Sequence, residues 1–79
     1  MTHLFNFRKE HFESIKNGEK NFILTKRDRP YKTGDAIVVQ EEDNEFGLTS
    51  DELMFKISFI ENGEGLKSNH CIIAIQPLN

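Results

Sequence analysis

Between positions 20 and 32 the chain gathers Lys20, Lys26, Arg27, Arg29 and Lys32 around its one tyrosine, Tyr31. Guanidinium and ammonium groups pair with phosphate oxygens, and an aromatic ring stacks on an unpaired base. These six residues are therefore the candidate contact surface for RNA, single-stranded or structured. The same stretch also admits a purely structural reading. In it the segment is a solvated turn, Asp28 and Asp35 pair with neighbouring cations, and Tyr31 covers the edge of the core.

Other reactive side chains are sparse. His3, His11 and His70 lack the i, i+4 helical spacing of a zinc hydrolase, and a lone Cys71 cannot belong to a multi-cysteine cage, so no metal and no cofactor is expected. His70 and Cys71 are adjacent, but successive side chains on a strand point to opposite faces, so they cannot act as base and nucleophile. Cys71 reads as a small buried hydrophobe. The acidic run from Glu41 to Glu45 lacks the spacing and closing glutamate of a calcium loop. Gly63 and Gly65 are followed by no third glycine and no lysine-serine pair, which leaves nucleotide hydrolysis without support.

These groups must be positioned by a short chain. Seventy-nine residues, 37% of them apolar and 29% charged, suit one globular domain over 1–79. Seven Phe and no Trp point to phenylalanine as the bulk of the core. One cysteine permits no internal disulfide, which fits a reduced, cytoplasmic setting. No leader pattern and no apolar run of about 18 residues is present, so neither secretion nor membrane insertion is expected. The net charge of −3 conceals an asymmetry: residues 1–35 hold eight Lys/Arg against five Asp/Glu, residues 36–79 two against eight. A basic surface on an acidic protein follows from that distribution.

Periodicity supplies the elements. His3 to Phe7 reads as a strand with Phe5 and Phe7 on one face, and Lys9 to Asn17 as a short amphipathic helix built on Phe12 and Ile15, closed by Gly18. Asn21 to Thr25 is the second strand. A turn through Pro30 and Gly34-Asp35 leads to a buried central strand at Ala36 to Val39. Glu41 to Asp51 follows neither period and reads as an exposed loop. Leu53, Phe55, Ile57 and Phe59 alternate with Met54, Lys56, Ser58 and Ile60 as the core face of a fourth strand. After a loop at 61–69, His70 to Ile75 forms the last. One helix among five strands is poor material for a doubly wound sheet, so the expected class is α+β, a curved sheet or partial barrel sealed by the helix.

The helix-to-strand junction from His11 to Lys20, the stretch Lys26-Arg27-Asp28-Arg29-Pro30-Tyr31-Lys32-Thr33-Gly34-Asp35, and Gly65-Leu66-Lys67 carry a family resemblance. Over nearly its whole length the chain resembles small bacterial and phage domains of the ASCH/PUA-like superfamily, particularly a DUF3850-like group noted for similarity to activating signal cointegrators. The resemblance implies a PUA-like β-pseudo-barrel of about five strands, with the main helix between strands 1 and 2 and a cleft beside it. It further implies RNA binding linked to translation or its regulation, with Arg29 facing a ligand and Gly34-Asp35 serving the turn. Superfamily members carry Gly-x-Lys-x-x-Glu-x-Arg after the helix. This chain keeps Gly18 and Lys20 but has Ile23 and Thr25 where Glu and Arg belong. Some relatives hydrolyse an acylated cytidine with a lysine, a threonine three residues later and a glutamate. Ile23 stands at that threonine too, and can neither attack a carbonyl nor carry a proton.

The expected function is thus non-enzymatic RNA binding. Two alternatives stay open. One is a modified-nucleoside amidohydrolase in which Lys20 works with an acid from residues 41–52. The other is a protein-interaction module that uses the acidic half and an exposed strand edge.

Overall fold

A computed structural model describes residues 1–43, 45, 47–62 and 69–78, apart from the side chains of 48–50. Five strands and one helix follow each other in the order β1 (Thr2–Arg8), α1 (Lys9–Lys16), β2 (Phe22–Lys26), β3 (Ala36–Asp43), β4 (Gly47–Glu61) and β5 (His70–Pro77). The helix buries Phe12 and Ile15, as their three-residue spacing requires, and turns its charged positions outward. It stops at Gly18, whose φ of 79° places it in the left-handed region. There the Gly18 N–H donates to the Ile15 carbonyl at 3.2 Å, and the Lys20 N–H to the Ser14 carbonyl at 3.0 Å. No helix among the described residues is long and apolar enough to cross a membrane.

The strands form one mixed sheet in the order β1-β3-β4-β5-β2. β1 runs parallel to β3, and the other three pairings are antiparallel. Consecutive strands β1 and β2 therefore lie at opposite edges, and α1 spans between them. The sheet curls into a half-barrel. Gly34 enters β3 with φ of 95°, its N–H donating to the Ile57 carbonyl at 2.8 Å, while the Ile57 N–H donates to the Asp35 carbonyl at 2.9 Å. The Gly-Asp turn before the third strand serves the role its sequence implied.

Alternation places Ile23, Ile37, Val39, Phe55, Ile57, Cys71, Ile73 and Ile75 on the inner face, where Phe12 and Ile15 of α1 cover them. Isoleucine, not phenylalanine, is the bulk of this core. Among the described aromatic residues only Phe12 and Phe55 are buried in it. Phe5 and Phe7 pack at its margin, and Phe22 and Phe59 are exposed.

Phe59 is a specific correction. The pairing of β4 with β5 matches Ile57 to Ile75 but Phe59 to Ala74, a bulge that shifts the register by one residue. Beyond it the faces exchange: Phe59 points outward at 59% exposure and Ile60 packs against the core instead. The acidic stretch also differs from the expected loop. β3 extends to Asp43 and β4 begins at Gly47, joined through Glu42 opposite Leu48 and Asp43 opposite Gly47. Ladder hydrogen bonds hold these residues extended beyond the core, where burial, the source of the period-2 signal, no longer operates. The Gly65-Leu66-Lys67 part of the resemblance lies outside the described residues.

Candidate functional site

The segment from Arg27 to Asp35, which follows β2, lies against the edge strand β1, and their junction forms a seam. Contacts at Arg27, Arg29 and Asp35 help hold that segment. Arg27 N–H donates to the Asn69 carbonyl at 2.7 Å at the foot of β5. Arg29 donates from Nη1 to the Leu4 carbonyl on the open edge of β1 at 3.4 Å. Asp35, nearly buried, accepts through Oδ2 from His3 Nε2 at 2.9 Å and from the Lys32 N–H at 3.0 Å, while the Met1 amino group lies 3.4 Å from Oδ1. The His3 hydrogen bond, more than any other influence, holds the Asp35 carboxyl below the ordinary carboxylate range. Asp35 is thus a clamp between β1 and the turn. It pairs with His3 rather than with the lysines and arginines beside it in sequence.

Along the seam runs a continuous series of rings. Tyr31 stacks near-parallel to Phe5, with centroids 6.3 Å apart and planes 17° apart, and Phe5 to Phe7 at 6.0 Å and 8°. Phe7 meets His11 at 4.1 Å, and His3 meets Tyr31 at 4.7 Å. The origin of this series is local: His3, Phe5 and Phe7 alternate on β1, so all three rings fall on one face. Their strand is at an edge, so Phe5 and Phe7 stay only half-buried.

Two cations flank the series. Arg29 lies over its middle ring, Phe5, with Cζ 5.3 Å from the centroid. At the His11 end Lys20 donates from Nζ to Nε2 of His11 at 2.7 Å and lies 5.3 Å over the Phe22 ring. Burial first, and the Lys20 charge second, push the His11 pKa below its ordinary value, which keeps the imidazole neutral and able to accept that bond.

Of the residues singled out in the sequence, Arg29, Tyr31 and Lys20 are linked through these rings. Lys26 and Lys32 are exposed, at the end of β2 and in the turn. Arg27 and Arg29 line a cavity with Tyr31. Phe5, Phe7 and His11 were not read from sequence as site residues. The ring-bearing face of β1 was the available signal, but nothing local says that this strand ends at an edge. Ile23 is 1% exposed and belongs to the core, and the Thr25 hydroxyl lies 3.5 Å from that of Tyr31. Among the described residues the hydrogen-bond partner of the Lys20 side chain is the His11 imidazole, not a carboxylate. Cys71 is buried as expected, and that burial pushes its thiol pKa up.

No curated protein matches the chain. A family model does, over residues 2–75, and its description is a domain of unknown function, DUF3850. That match takes in β1 to β4, the helix, and β5 as far as Ile75, and the chain belongs to the DUF3850 family.

Proposed function

We propose that this chain is a PUA-like domain that binds single-stranded RNA along the seam between β1 and the segment after β2, without catalysing a reaction on it. The observation that carries the reading is the row of half-buried rings, Tyr31, Phe5, Phe7 and His11, with Arg29 over Phe5 and Lys20 beside His11. Unpaired bases stack on such rings whatever their sequence, and flanking cations neutralise the backbone. Exposed Lys26 and Lys32 extend the positive rim, in keeping with the basic character of residues 1–35. A five-stranded half-barrel with its helix between the first two strands supports the PUA-like assignment.

Hydrolysis of an acylated nucleoside fits less well. Apolar Ile23 is sealed in the core, and Lys20 is engaged with an imidazole rather than with an acid from residues 41–52. A protein partner docking on the acidic half has no comparable row of contacts behind it among the described residues.

The test is a salt titration of fluorescent RNA, comparing single-stranded, hairpin and duplex probes. Each cation that displaces counterions from a single strand contributes about −0.7 to the slope of log K against log salt, so four or five give about −3. In Lys26→Ala/Arg29→Ala/Lys32→Ala the slope flattens by about 2. Binding that ignores salt, or that survives the triple substitution unchanged, removes the proposal.

A further inference from the structure

Beside the ring series lies a cavity of about 250 Å³, lined by Arg27, Arg29, Pro30, Tyr31, Ile60, Asn62 and Cys71. Its volume is just under the range of pockets that hold drug-sized ligands, so it suits one ring system with a substituent rather than an extended cofactor. The lining is divided by chemistry. Pro30, Tyr31 and Ile60 offer apolar and aromatic surface for a flat body, and Arg27 and Arg29 bring guanidinium groups to the same space. Asn62 adds an amide that both donates and accepts, which is what a base edge requires. Among the described residues no Asp or Glu lines the cavity, and the nearby charge of Asp28, which reaches Cys71, stands between the two arginines in sequence. Cys71 lies buried behind this lining with its thiol pKa raised, so it contributes surface and not a nucleophile.

The cavity is continuous with the seam. Tyr31 lines it while stacking near-parallel to Phe5, and Arg29 lines it while lying over the same Phe5 ring. The bond from Arg29 to the Leu4 carbonyl occupies only part of a guanidinium's donor capacity. Tethering of Arg27 N–H to the Asn69 carbonyl anchors the chain at this point, so the site is largely formed before a ligand arrives.

We infer that this cavity is a single-nucleotide site, taking one base against Tyr31 and Ile60, with its phosphate at Arg27 and Arg29 and its polar edge at Asn62. The inference rests on the RNA reading above and deepens it: a strand lying on Phe5 and Phe7 delivers one nucleotide, turned out of the stack, into the cavity. A free nucleoside monophosphate presents the same chemistry, and the test separates the two sources.

Amide NMR titrations of the full chain with AMP, UMP, uridine and a single-stranded oligoribonucleotide of about ten nucleotides are the experiment. Both monophosphates are expected to shift the Tyr31, Ile60, Asn62 and Cys71 amides saturably, and uridine, lacking phosphate, to bind more weakly. Ile60→Trp fills the cavity without removing a cation, and weakens monophosphate binding by about tenfold or more. Asn62→Ala, at an exposed position where folding is not at risk, weakens it by a smaller factor while leaving the salt slope of oligonucleotide binding unchanged. If the oligonucleotide binds and no monophosphate shifts these amides, and Ile60→Trp and Asn62→Ala leave oligonucleotide affinity unaltered, the cavity proposal is overturned and the RNA reading stands. If monophosphates bind here and the oligonucleotide does not, the cavity is confirmed with free nucleotides as its source and the RNA reading falls. Silence from every probe overturns both.

Discussion

The inner face of the sheet and the seam where the segment after β2 meets β1 hold opposite kinds of side chain. In the middle, β3, β4 and β5 contribute Ile37, Val39, Ile57, Ile73 and Ile75, all buried. At the seam, β1 and the segment after β2 contribute Phe5, Phe7, Tyr31 and Arg29, which stay half-buried or exposed. A row of rings left partly open to water forgoes some of the stabilisation that full burial gives an aromatic side chain. The centre therefore holds the domain together, and the margin is available for a ligand. That division predicts which substitutions damage the fold and which damage binding.

The largest effect on stability belongs to the centre. Ile73→Ala, at a fully buried position in β5, is expected to lose about 2–5 kcal/mol of unfolding free energy in a urea titration. Phe7→Leu at the seam inverts the pattern. Its volume is nearly conserved, so stability falls by less than about 1.5 kcal/mol, while the loss of one stacking ring weakens single-stranded RNA by about 1–3 kcal/mol. Equal stability losses at the two positions, with no binding loss at Phe7, would erase the distinction between the regions.

Acid sensitivity sharpens the comparison further, because the titrating groups with shifted values and polar partners sit at the seam. Asp35 has its folded-state pKa below the ordinary 3.8. It binds fewer protons folded than unfolded, so its stabilisation is present above that value and is lost as pH falls through the depressed one. Asp35→Asn should lower the melting temperature at neutral pH and flatten its decline at acid pH. A smaller effect comes from His11, whose pKa is also lowered, from 6.5. Its neutral form is the folded form, so stability is full above pH 6.5 and declines as pH falls through the lowered value. In His11→Asn that mildly acidic component of a melting-temperature profile disappears.

All six elements were legible in the sequence because each carries its own period: Phe12 and Ile15 for the helix, Phe55 and Ile57 for the longest strand. What escaped was non-local. The bulge that exchanges Ile60 for Phe59 depends on pairing with β5, and the extension of β3 and β4 through acidic residues depends on each supplying the other's hydrogen bonds. At the site, the cations and Tyr31 could be named from composition alone. Phe5 and Phe7 could not, since a ring on a strand reads as core until the strand order leaves it at an edge, nor could His11, whose ring on α1 meets Phe7 only once the helix packs beside β1. Likewise Asp35 looked like a partner for nearby cations, whereas its partner His3 is 32 residues away.

The most direct test maps a short single-stranded RNA onto the assigned amide spectrum of the whole chain. Binding at the seam predicts the largest shifts at Phe5, Phe7, His11, Lys20, Arg29 and Tyr31, with Leu24, Met54 and Phe59 on the outer face unmoved. Shifts concentrated on that outer face, or no shifts at low salt, would contradict the assignment of the seam as an RNA-binding surface.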